Sequence, residues 1–84
     1  MHRYLVTWRQ GMLLKNAIRD KRPVTIRTNE GRGDYISVYI QDGNVYVCAY
    51  PRGSIPGLNI IWEEKMNGVG LPINIILEYI GHRR

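Results

Sequence analysis

The dipeptide Asp42-Gly43 separates two stretches, Tyr35-Ile36-Ser37-Val38-Tyr39-Ile40-Gln41 and Asn44-Val45-Tyr46-Val47-Cys48-Ala49-Tyr50, both rich in β-branched and aromatic residues. Asp-Gly in that setting is a strong hairpin signal, because a type I′ two-residue loop needs positive φ at both central positions. Such a turn also fixes register. Gln41 then opposes Asn44, and every pair behind it follows. On one face Ile40 meets Val45, Val38 meets Val47 and Ile36 meets Ala49. On the other, Tyr39 meets Tyr46, Ser37 meets Cys48 and Tyr35 meets Tyr50. The aliphatic face is the natural core. The tyrosine face is either an exposed platform or a second buried layer whose hydroxyls reach water at its rim.

The residues before the hairpin follow a different period. Thr7-Trp8-Arg9-Gln10 fits a capping box, and Leu13, Leu14, Ala17 and Ile18 form an apolar stripe, so a helix is expected over 8–21. Pro23 closes it by pushing Arg22 out of the helical region. Val24-Thr25-Ile26-Arg27-Thr28 alternates like a half-buried strand. Residues 2–6 read either as a short strand or as a simple lead-in. Loops are expected at 29–34 and 51–57, where glycine and proline cluster. Further strands are expected at 58–66 and 73–80, with a basic tail after them.

The 84 residues suit one domain spanning 1–84, near the size at which a single core buries only about 60% of the unfolded surface. Cys48 is the only cysteine, so no disulfide can form within the chain. No apolar run reaches the roughly 18 residues of a membrane span, and no signal-peptide pattern opens the sequence, so a cytoplasmic setting away from membranes is expected. Charge is uneven. Up to Arg32 the chain carries eight basic and two acidic residues, whereas four basic and five acidic residues follow. A basic half on a small domain suggests a polyanionic partner; ordinary solvated side chains on a helix and its exit loop account for it equally well.

Catalytic and metal chemistry find no footing. His2 and His82 lie at opposite ends, and Cys48 has no suitably spaced ligand partner. Ser37, Ser54 and Cys48 have no histidine base among the internal residues. Glu63 and Glu64 are adjacent, so on a strand they point to opposite faces. Neither a cofactor nor a metal is expected. Tyrosines beside arginines, by contrast, suit single-stranded nucleic acid. Aromatic faces stack on bases and guanidinium groups hold phosphates. The same tyrosines equally suit a subunit interface or plain cross-strand packing.

The helix end Leu14-Lys15-Asn16-Ala17-Ile18-Arg19-Asp20-Lys21-Arg22, then Val24-Thr25-Ile26-Arg27, then Gln41-Asp42-Gly43-Asn44-Val45-Tyr46-Val47-Cys48-Ala49-Tyr50, resembles a WYL domain over residues 13–50. Tyr46, Ala49 and Tyr50 match that family's hallmark, with Val45 at the position of its tryptophan and Val47 at that of its leucine. The resemblance implies an SH3-type, Sm-like barrel and a ligand- or nucleic-acid-binding role, and it carries over Tyr46 and Arg27 as site positions. The broader Sm-like group has the same plan of one helix and five bent strands, and implies RNA-binding rings.

The sequence therefore predicts an α+β, mostly β fold: an N-terminal helix and a strongly bent five-stranded antiparallel sheet or small SH3/Sm-like barrel. The expected function is a non-enzymatic, homo-oligomeric module binding RNA or single-stranded DNA. Arg22, Arg27, Arg32 and Arg52 would supply attraction, and Tyr35, Tyr39, Tyr46 and Tyr50 would supply stacking. The alternative is a protein-interaction module, such as a small inhibitor or assembly subunit, using the same tyrosine face.

Overall fold

A computed structural model describes residues 1–29, 33–55 and 58–81; Arg32 and the basic residues of the tail lie outside them. The capping box forms as expected. Gln10 N donates to Thr7 Oγ1 at 3.0 Å, and Thr7 N donates to Gln10 Oε1 at 2.8 Å. They start α1, Trp8–Asp20. Lys21 ends it in the left-handed region (φ 56), and Arg22 N reaches back to Ala17 O at 2.9 Å. This is the Schellman closure that frees the chain to turn into the sheet.

Asp42 and Gly43 both have positive φ, 53 and 79, as a type I′ turn requires. The two hairpin strands run over Tyr35–Gln41 and Asn44–Tyr50. Their partners are those dictated by the two-residue loop, from Gln41↔Asn44 to Tyr35↔Tyr50. Numbered in chain order, the strands are β1 (His2–Val6), β2 (Val24–Arg27), β3 and β4 (the hairpin), β5 (Trp62–Lys65) and β6 (Ile75–Tyr79).

The sheet arrangement departs from the expected five antiparallel strands. β2-β3-β4-β5 form a four-stranded antiparallel sheet, and β1 pairs with β6 in a separate parallel pair. Among the described residues the larger sheet is not closed. Two local causes are visible. The strand expected from residue 58 pairs with β4 only from Trp62 onward, since Leu58 and Ile60 stay exposed instead of alternating into the core. Residues 2–6 become a true strand, because Tyr4 and Val6 bury their side chains and need a hydrogen-bonding neighbour for their main chain. The two sheets meet where Asn29 N donates to Leu5 O at 2.8 Å and where Glu64 accepts from Ile73 N and Asn74 N.

The aliphatic hairpin face is the core. Ile36, Val38, Val47 and Ala49 are at most 1% exposed and pack with Leu14, Ala17 and Ile18 of α1, Val6 of β1 and Ile75 of β6. Glu64 opposes Val47 at the sheet edge, where its carboxylate takes the two amide bonds given above. Gly11 admits Tyr79 against the helix. A Cβ there would lie 2.5 Å from Tyr79 Cε1, and the Trp8 ring tilts against Tyr79 with centroids 5.0 Å apart.

Inside the core, Trp62 Nε1 donates to Tyr4 Oη at 2.8 Å, tying β5 to β1. Burial raises the Tyr4 phenol above its usual range, against the opposing effect of the Trp62 bond. Tyr4→Phe leaves the indole N–H buried without its acceptor. The expected loss is about 1–3 kcal/mol of stability, read as a lower urea midpoint at unchanged slope.

Candidate docking face

Extending the register across the four strands gives the tyrosine face three rows. The first runs Arg27–Tyr35–Tyr50, the second Thr25–Ser37–Cys48–Glu63, and the third Tyr39–Tyr46–Lys65. Alternation along each strand puts these side chains opposite the core. All four tyrosines are thus brought together on one outer face.

They are not equivalent. Tyr50 is 5% exposed, whereas Tyr35, Tyr39 and Tyr46 are half-buried. Tyr35 and Tyr50 tilt at 46° with centroids 5.5 Å apart, while Tyr39 and Tyr46 stack nearly parallel at 5.1 Å and 11°. In the stacked pair one face of each ring is already covered by the other. Two of the four hydroxyls, those of Tyr39 and Tyr50, are engaged as well. Tyr50 Oη and Ser37 Oγ lie 3.1 Å apart, Ser37 Oγ lies 2.8 Å from Thr25 Oγ1, and Tyr39 Oη donates to the Glu63 carboxylate.

Between these rows lies a groove of about 580 Å³. Tyr39, Tyr50, Ser37 and Cys48 of the hairpin line it together with Pro23, Thr25 and Ile60. Its lining is mostly apolar. Ile60 is 38% exposed, and Leu58 and Ile55 on the same stretch of chain are more exposed still.

The arginines are placed less uniformly. Arg27 is exposed and shares a row with Tyr35. Arg22 follows the end of α1 and pairs with Asp20 at 3.2 Å, and the same carboxylate takes a second arginine, Arg19, at 2.9 Å. Arg19 above all, with Arg22, holds the Asp20 carboxyl below its usual range. Arg52 is exposed in the turn after β4. Arg32 lies outside the described residues. The face also includes residues that sequence reasoning did not select: Ile60, Cys48, Glu63 and Lys65. The hairpin register already put Cys48 on this face, whereas Glu63 and Lys65 depend on the β4–β5 register, which no tight turn fixes, and Ile60 precedes that ladder.

Among the described residues, no three His, Cys, Asp or Glu side chains gather where they could hold a metal ion, and no helix is long and apolar enough to cross a membrane. Fold and face together define a small, mostly β α+β domain with a grooved outer sheet face. Compared with protein-family models, curated proteins and solved structures, the chain gives no significant match.

Cys48 lines the groove, is 5% exposed, and burial raises its thiol above the usual range. Less thiolate is then present near pH 8 than in the unfolded chain. Native Cys48 should react with a disulfide reagent roughly tenfold or more slower than in urea. Equal rates in the two states would contradict this placement.

Proposed function

We propose that this chain is a non-enzymatic binding module whose tyrosine face docks a polypeptide partner. The observation that carries the reading is the apolar groove between the tyrosine rows, with Ile60 in its lining and Leu58 and Ile55 exposed on the same stretch. Exposed apolar surface around a concave, aromatic-lined site is the usual composition of a protein interface centre. Stacking on bases is less well served. Tyr39 and Tyr46 cover one another, Glu63 puts a carboxylate in the middle row, and Arg22 is held by Asp20.

RNA or single-stranded DNA is the second reading, favoured by one specific observation: the exposed cations Arg27 and Lys65 stand at opposite corners of the tyrosine face. The WYL-like and Sm-like resemblance leans the same way. A strongly bent, barrel-type plan belongs to this proposal too, supported by the two places where the sheets meet. A second copy of the chain is among the possible polypeptide occupants, which would make the module a homo-oligomer.

The test pairs Tyr39→Ala, which removes a side chain lining the groove, with Tyr46→Ala, which removes the ring stacked on it, and neither belongs to the core. Partner capture by the wild-type chain should fall roughly 30-fold or more in the double variant, the scale of a central aromatic contact. Solution mass identifies a second copy as the occupant if a dimer dissolves in the variant. Salt-dependent binding to an oligonucleotide, weakened by Arg27→Ala and Lys65→Ala while the double tyrosine variant keeps its protein partner, would overturn the docking reading.

A further inference from the structure

β2 is an edge of the larger sheet, and its main chain can be read group by group. Thr28 N donates to Asp34 O at 2.9 Å, across the β2–β3 register. Hydrogen-bonded and non-bonded pairs alternate in an antiparallel ladder. Ile26 therefore faces Ile36 as a bonded pair, and Thr25 and Arg27 turn their amides and carbonyls away from β3. Gln10 Nε2 confirms the direction, since it reaches Arg27 O from that outer side at 2.6 Å. The Thr25 amide, the Thr25 carbonyl and the Arg27 amide stay unpaired among the described residues.

This bare edge runs between two grooves. On the tyrosine side lies the 580 Å³ groove with Pro23 and Thr25 in its lining. On the helix side, a smaller groove of about 210 Å³ is formed by Leu13, Asn16 and Ala17 of α1 together with Arg22, Pro23 and Val24. A strand laid along β2 would send alternate side chains into each. Charge selects the occupant. Arg22, in the lining of the smaller groove, and Arg27, on β2 itself, flank the edge, and Asp20, bound to Arg22, is the one acid ion-paired with either among the described residues. A second copy pairing β2 to β2 would bring two such cationic edges together.

We infer that β2 accepts an extended, acidic peptide segment as an added strand, its backbone bonding to Thr25 and Arg27 and its acidic side chains meeting Arg22 and Arg27. This names the mode and chemistry of the polypeptide partner and rests on the docking reading above. It is the strand-addition mode in which main-chain bonds supply affinity and alternate pockets supply selectivity.

The probe is a capped peptide of alternating valine and glutamate, set against the same peptide with lysine for glutamate. The acidic peptide should slow hydrogen exchange at the Thr25 and Arg27 amides by about tenfold or more, and the lysine peptide should not. Thr25→Pro removes the outward N–H at a position where an edge strand tolerates proline, and it should weaken binding about tenfold or more. Thr25→Val, which keeps the N–H and loses only the bond to Ser37, should bind like the wild type. If Thr25→Pro fails to fold, the exchange pattern of the wild-type chain decides alone. Unchanged exchange at both amides, equal binding of the lysine peptide, or a dimer protecting the same amides would each overturn the inference. Peptide signals confined to Tyr35, Tyr39 and Tyr46 would overturn strand addition while leaving the docking face standing. Protection at Thr25 and Arg27 that survives Tyr39→Ala with Tyr46→Ala would support strand addition and sink the face.

Discussion

The β3–β4 register is the constraint on which the rest of this structure depends. With the two central residues of the turn held at positive φ, Gln41 must oppose Asn44, and each later pair follows at a period of two. A slip of one residue would send Val38 and Val47 to water and press the tyrosines against α1. Core and outer face are thus two consequences of one turn. Everything else on the outer face, from Arg27 at one end to Lys65 at the other, is positioned by pairing outward from that hairpin.

What was legible in the sequence is what local chemistry determines. Thr7 and Gln10 mark the helix start, Pro23 its end, and Asp42-Gly43 the hairpin with all its pairs. The parallel pairing of β1 with β6 was not legible, since no turn residue joins two strands so far apart in the chain. Parallel strands need a crossover, and here everything from α1 to β5 serves as one. The last strand was placed correctly in sequence but assigned to the wrong kind of sheet. For the same reason Glu63 and Lys65 escaped notice as neighbours of the tyrosines, because the connection between β4 and β5 is long and sets no register by itself.

The arginines show the limit of reading charge from composition. Arg19 and Arg22 look like free cations in the sequence, yet both lean on the Asp20 carboxylate. These pairs are exposed and contribute little to stability. Their effect is to lower the cationic potential where the chain leaves the helix. Arg27 owes its position to strand alternation, and it is the arginine that shares a row with a tyrosine. An outer face that combines an apolar groove, two engaged tyrosine hydroxyls and a few corner cations differs from the uniformly basic, ring-exposing surface that tyrosines and arginines in sequence first suggest.

The pairing of β1 with β6 bears on the order of folding events. His2 meets Ile75 across about seventy intervening residues, and contacts of that separation are slow to form because a long loop must close before they stabilise anything. The hairpin and helix have near neighbours in sequence and can form early. Tyr4 can meet Trp62 once β5 is in place, but Val6 has no neighbouring strand until β6 arrives. β6 is therefore the strand that seals β1, and until Ile75–Tyr79 docks, β1 has only the Asn29 N to Leu5 O bond for its main chain.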